Sequence, residues 1–212
     1  MIKAVLFDFD GTLLDSEAMV IHCFSHLFEK YRRIEDFTRE YQLEVFGPPL
    51  HTEMVKLFPG HDPDQMIREY REFQNTLPGT GAVHLIPHAA EVLEELQNKG
   101  IRMAVISSRI TASCRMWMKE FDLERYFELI LGQEAFDKPK PDPEGIVKAY
   151  EAMGLLPEEC IYAGDNASDV TAAKRAGVYS VGFVSNREKA GEILDSRPDL
   201  VIYDLKEILK CI

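Results

Sequence analysis

The chain opens on an apolar run at residues 3–8 (KAVLFD) in which hydrophobic positions are continuous rather than alternating. Such a run, closed by a polar turn at Asp10-Gly11-Thr12, predicts a short strand buried on both faces, as in the middle of a parallel sheet. Over 17–75 the pattern becomes helical. Val20, Phe24, Leu27, Phe28 and Tyr31 recur at three- and four-residue spacing, and so do Met66, Tyr70 and Phe73. No strand is predicted in this stretch, and Gly47-Pro48-Pro49 and Pro59-Gly60 divide it into about four helices. Leu77-Pro78-Gly79-Thr80-Gly81 reads as a linker.

Beyond the linker, helices and strands alternate. Helices are predicted over 89–99, 111–121, 142–153 and 168–176, with Gly100, Gly154 and Gly177 closing three of them. Strands are predicted over 101–106, 127–131, 160–163, 178–181 and 200–202, followed by a last helix from Asp204. Alternation of this kind predicts an α/β fold, a Rossmann-like parallel sheet with helices on both faces. The division is then an α/β core made of 1–15 and 80–212, interrupted by an all-helical insert over 16–79.

Composition narrows the class of function. With 36 acidic against 24 basic residues the formal charge is −12, which disfavours nucleic acid and anionic membranes as partners. No apolar run approaches the length of a membrane span, and the N-terminus enters a strand directly, without a signal-peptide pattern. Cys23, Cys114, Cys160 and Cys211 are scattered and form no C-x-x-C pair, so they read as reduced thiols of a cytoplasmic protein. Of the six histidines only His22 and His26 have a possible metal spacing, and surface or cap-core positions account for that pair better.

In open parallel sheets ligands bind beyond the carboxyl ends of the strands. The polar residues that follow each predicted strand make chemical sense together. Asp8 and Asp10 follow the first and Ser107 and Ser108 the second. Asp137-Lys138-Pro139-Lys140-Pro141-Asp142 follows the third, and Gly164-Asp165-Asn166-Ala167-Ser168-Asp169 the fourth. Four clustered carboxylates (Asp8, Asp10, Asp165, Asp169) repel one another, and one lysine cannot balance them. A hard divalent cation with oxygen ligands can, and Mg²⁺ fits that preference. Asp8 and Asp10, two apart in an extended segment, point the same way and can flank one phosphorus atom. One would attack as nucleophile, forming an aspartyl-phosphate; the other would protonate the leaving oxygen and then activate water. Gly11 lets the backbone come close to the phosphate.

Asp8-Phe9-Asp10-Gly11-Thr12-Leu13-Leu14-Asp15-Ser16 resembles the first motif of the haloacid dehalogenase-like hydrolase superfamily, and the other strand-end segments resemble its remaining three motifs in order. The resemblance covers nearly the whole chain, and it implies that the insert over 16–79 is a helical cap domain and that 1–15 with 80–212 is the catalytic core. It implies that Asp8 is the nucleophile and a metal ligand, and that Asp10 is the general acid/base and binds the metal through its main-chain carbonyl. It further implies that Ser107 holds a phosphoryl oxygen, that Asp165 is a metal ligand, and that Asp169 holds a metal water or the lysine. Gly11, Ser108 and Lys140 join Ser107 as expected phosphate-binding residues. The motif lysine matches both Lys138 and Lys140; Lys140-Pro141-Asp142-Pro143-Glu144 is the better match, with Asp142 then placed to cap the next helix. Arg109, two residues past Ser107, is a possible substrate contact.

The function implied is a Mg²⁺-dependent phosphatase of a small phosphorylated metabolite, either an ester or an anhydride. The chain looks closest to phosphoglycolate phosphatase and pyrophosphatase-type members; Gly47-Pro48-Pro49-Leu50 resembles a cap segment of those groups. A phosphomutase of the β-phosphoglucomutase type shares all four motifs and is the alternative. A haloacid dehalogenase is disfavoured by Asp10, which those members lack, and a silent binding protein by intact residues at every motif.

Overall fold

The computed structural model describes residues 1–45, 49–185 and 190–212. They form two compact units, Met1–Asp15 with Leu85–Ile212, and Ser16–His84. In chain order the elements are β1 (Ala4–Phe7), β2 (Leu14–Asp15), α1 (Glu17–Tyr31), α2 (Arg39–Glu44), α3 (Leu50–Leu57), α4 (Pro63–Gln74), β3 (His84–Leu85), α5 (Ala89–Asn98) and β4 (Arg102–Ile106). Then follow α6 (Thr111–Glu120), β5 (Leu129–Leu131), α7 (Glu144–Ala152), β6 (Cys160–Gly164), α8 (Ala167–Ala176), β7 (Tyr179–Phe183), α9 (Ala190–Asp195) and β8 (Leu200–Ile202).

The first unit is an α/β fold built on a six-stranded sheet in the order β5-β4-β1-β6-β7-β8, with parallel pairing throughout. β1 is its centre, and Ala4, Val5, Leu6 and Phe7 are fully buried. A strand packed on both faces needs apolar residues at successive positions, which is why this segment does not alternate. The chain winds outward from β1 in both directions, so β1 and β6 flank the point where strand order reverses, the usual ligand position in such sheets. The register carries Phe7 opposite Val105 on one side and Ala163 on the other. Asp8 is therefore the first residue past the pairing, and its N–H still donates to the Ala163 carbonyl at 2.9 Å.

Helix ends follow local chemistry. Asn166 caps α8 by accepting from Ser168 N–H at 3.0 Å, while Asp169 Oδ2 accepts in return from Asn166 N–H at 3.1 Å. The predicted last helix is a 3₁₀ helix, Leu205–Cys211, with Asp204 and Glu207 forming the same reciprocal cap. β2 and β3 are two residues each and α9 six, too short to leave a periodic signal.

The helical unit has its own apolar cluster. Met19, Cys23, Phe24, Leu27 and Phe28 line the buried face of α1. Phe24 meets Tyr70 edge-on at 5.4 Å between ring centroids, and Phe28 meets Phe58 at 5.2 Å. Aromatic residues at helical spacing thus serve as core, each edge-to-face pair adding to what burial itself contributes. Of the predicted breakers, Gly47 and Pro48 lie outside the described residues. Among the described residues no helix is long and apolar enough to cross a membrane.

Candidate active site

The carboxyl edge of the sheet gathers residues from three strand ends and one helix start. Asp8 follows β1, Ser107 follows β4, Asp165 follows β6, and Asp169 lies in the first turn of α8; all four are buried. Phe9, between the two N-terminal aspartates, is fully buried, so the D-x-D segment is anchored by its middle residue. The turn that follows is closed on itself, with Gly11 N–H donating to Leu14 O at 2.7 Å and Leu13 N–H to Phe9 O at 2.9 Å.

Lys140 reaches into this cluster from the loop before α7. Its Nζ lies 2.7 Å from Asp8 Oδ1, 2.6 Å from Asp169 Oδ1 and 3.1 Å from the Tyr162 hydroxyl. Burial alone would lower the pKa of this ammonium, but the Asp169 and Asp8 carboxylates hold it well above the ordinary lysine range. Lys138 is exposed. Asp142 Oδ1 accepts from Glu144 N–H at 3.1 Å just before α7, where Pro143 holds the N-cap position.

Asp8, Asp165 and Asp169 each offer a carboxylate oxygen, all within 4.8 Å of one another. Burial pushes the Asp8 carboxyl up to about 8; Lys140 opposes the rise, and Asp169 and Asp165 add to it. Three buried carboxylates against one ammonium leave the site short of positive charge. The donor set is all oxygen, hard and anionic, and so fits Mg²⁺. Asp10 contributes differently: its side chain forms a two-pronged ion pair with Arg109. Arg109 Nη2 lies 2.6 Å from Asp10 Oδ1, and Nε lies 2.9 Å from Oδ2.

Three contacts were not anticipated from the sequence. Tyr162, on β6, places its hydroxyl 3.2 Å from Asp169 Oδ1 as well as beside Lys140, so it ties the lysine to the acid. The signal was present: a tyrosine two residues before Gly164 in an otherwise apolar strand. Thr12 is fully buried and its hydroxyl donates to Asp165 Oδ1 at 3.4 Å. Cys114 lies beside Ser107, and burial pushes its thiol up to about 12, which disfavours the thiolate. Ser108 is exposed.

Gly11 stands against a carboxylate rather than open space. Its φ is +77°, and a Cβ there would lie 2.2 Å from Asp165 Oδ2. Both the left-handed backbone and the contact exclude a side chain. Gly11→Ala is expected to destabilise the fold by about 1–3 kcal/mol and to weaken Mg²⁺ binding by displacing Asp165. Urea titration and calorimetry with Mg²⁺ would show both; an unchanged midpoint and unchanged ion affinity would refute the contact.

The sequence profile of the haloacid dehalogenase-like hydrolase family matches residues 5–183. The pyrophosphatase PpaX of Oceanobacillus iheyensis is 30% identical over 208 residues, covering 98% of this chain and 95% of that protein. A crystal structure from Bacteroides fragilis, described as of a haloacid dehalogenase-like hydrolase, superposes with a TM-score of 0.85 at 28% identity, over 98% of this chain and 100% of the other. One from Haemophilus somnus, described as a predicted phosphoglycolate phosphatase, also reaches 0.85, at 23% identity over 99% and 97% of the two chains, and shares the fold. With a family match over residues 5–183 and a relative 30% identical along nearly its whole length, this chain belongs to the haloacid dehalogenase-like hydrolases.

Proposed function

We propose that this protein is a Mg²⁺-dependent phosphatase that hydrolyses a small-molecule phosphate ester or anhydride through an aspartyl-phosphate on Asp8. The observation that carries it is the meeting of Asp8, Lys140 and the Asp165/Asp169 pair within hydrogen-bonding or ion-ligating distance at the centre of the sheet edge. The likeness to a pyrophosphatase over nearly the whole chain supports it.

In this reading an Asp8 carboxylate oxygen attacks phosphorus and forms an O–P bond as the bond to the leaving oxygen breaks. Asp10 delivers a proton to that oxygen. Water then attacks the aspartyl-phosphate, Asp10 takes its proton, phosphate departs and the Asp8 carboxylate is restored. Lys140 neutralises the nucleophile and a phosphoryl oxygen, and Ser107 hydrogen-bonds another. Asp8 with its side chain, Asp10 with its main-chain carbonyl, and Asp165 with Asp169 would hold Mg²⁺. The ion would supply the positive charge that lets an anionic phosphate share the site with carboxylates. Asp10 also separates this chemistry from dehalogenation, which needs no acid at that position.

Purified protein is expected to release phosphate from members of a panel containing pyrophosphate, 2-phosphoglycolate, sugar phosphates and nucleotides. Release should fall to background in EDTA and return with Mg²⁺. Unchanged turnover in EDTA, or no turnover across the panel, would overturn the reading.

A further inference from the structure

Each hydrogen of the Lys140 ammonium already has an acceptor. A protonated lysine carries three N–H donors and no acceptor. Around Nζ stand Asp169 Oδ1 at 2.6 Å, Asp8 Oδ1 at 2.7 Å and the Tyr162 hydroxyl at 3.1 Å. A phosphoryl oxygen therefore receives a hydrogen bond from Lys140 only when one of these contacts gives way.

The three differ in how freely they can move. The Asp169 side chain is 1% exposed, and its other oxygen, Oδ2, accepts from Asn166 N–H in the cap of α8. Tyr162 is fully buried, and its side chain belongs to the core cluster that contains Leu6, Ile106 and Ile146. It lies on β6, which is paired to β1 on one side and to β7 on the other. A close-packed interior leaves such a ring no space to swing its hydroxyl aside. The Asp8 side chain is 12% exposed and follows the last paired residue of β1. The contact with Asp8 is thus the one that can open, and the seat left behind is made by Asp169 and Tyr162. The hydroxyl closes that seat. It accepts from Lys140, and its own hydrogen is directed to Asp169 Oδ1 at 3.2 Å, so ammonium, carboxylate and phenol each touch the other two. With Asp169 alone the ammonium could pivot; with a second fixed contact its remaining hydrogen keeps one direction.

We propose that Tyr162 is a positioning residue: its hydroxyl, together with Asp169, seats the Lys140 ammonium so that the hydrogen held by Asp8 is the one passed to a phosphoryl oxygen. This rests on the phosphatase reading above and adds to it a residue that acts through Lys140 rather than on the substrate.

Tyr162→Phe removes one oxygen and keeps the ring. With saturating Mg²⁺ and the phosphate compound that wild type turns over best, it should lower kcat about tenfold and leave KM within about twofold. In a Lys140→Met background the same substitution should change kcat by less than about twofold, because the group it positions is gone. Two readouts are independent of turnover. Calorimetric Mg²⁺ affinity should stay within about twofold of wild type, since no carboxylate is lost. In ¹⁵N-labelled protein in EDTA, the Lys140 ammonium hydrogens should exchange with water about tenfold faster in Tyr162→Phe than in wild type. Tyr162→Met fills the space without a hydroxyl and carries the test if the phenylalanine variant does not fold. An unchanged kcat, or an equal loss with and without Lys140, would overturn the proposal. So would a Mg²⁺ affinity lowered about tenfold with turnover restored by excess ion, which would make Tyr162 a support for Asp169 as a metal ligand. A wild type inactive on every phosphate compound would instead defeat the phosphatase reading, and the exchange rates of Lys140 would still test the seat.

Discussion

Asp8→Asn is expected to lower Mg²⁺-dependent phosphate release by at least about 10⁴-fold, because an amide oxygen is too weak a nucleophile to form the acyl-phosphate and no neighbour can replace it. The nearest alternatives are unsuited. Burial disfavours the Cys114 thiolate, and Asp169 is bound by Lys140, Tyr162 and the start of α8. The same variant has a second, opposite consequence. Burial pushes the Asp8 carboxyl from its ordinary 3.8 to about 8, with Lys140 opposing the rise and the Asp169 and Asp165 charges adding to it. Between those two values the folded state binds a proton that the unfolded chain has lost. Linkage then requires stability to fall as pH rises through that window, with no contribution below it and the full cost above it. Asp8→Asn removes the ionising group, so in EDTA its melting temperature should vary less than wild type between about pH 5 and pH 8. Mg²⁺ competes with the same proton, so it should stabilise wild type more at the upper end of that range. Melting curves at several pH values, with and without Mg²⁺, read both effects. A variant as active as wild type would sink the nucleophile assignment, and an unaltered pH slope would sink the burial argument.

The second large effect is expected from Lys140→Met. The Lys140 side chain is 8% exposed and touches two carboxylates that are themselves 12% and 1% exposed. Removing one partner of a buried ion pair leaves charge without compensation, at a cost of about 3–5 kcal/mol. In EDTA the urea midpoint should drop accordingly. Mg²⁺ should recover part of the loss, since it neutralises the same aspartates. Turnover should fall about 10²–10³-fold even with saturating Mg²⁺, because a donor to the transferring phosphoryl group is gone. Lys138→Met is the control. Lys138 is exposed, so its loss should change stability by less than about 0.5 kcal/mol. If the two variants behaved alike, the reading of Lys140 as the site lysine would fail.

Much of the architecture was readable along the chain because its determinants are local. A short continuous apolar run closed by a polar turn fits a strand covered on both faces, and β1 lies where that argument puts it. Alternation of 3.6-period and apolar segments requires parallel strands with crossover helices, and the polar residues after each strand then lie on one edge. Where determinants are short or non-repeating the reading lapsed. β2, β3 and α9 offer too few residues for a period, and the last helix differs from expectation only in its hydrogen-bond step.

The sequence by itself determined the family, the parallel core and the polar residues that follow its strands, because each depends on composition and spacing within a continuous segment. Tertiary structure alone decided which of those residues meet. Lys138 and Lys140 stand in near-identical proline contexts, yet the loop turns only Lys140 toward Asp8 and Asp169. Arg109 closes on Asp10 across 99 positions of sequence, and Tyr162 finds Lys140 across 22. Gly11 is required against Asp165 rather than against a phosphate alone. Contacts between segments so distant are set by sheet register and by the need of buried charges for partners, and neither quantity exists until the chain has folded.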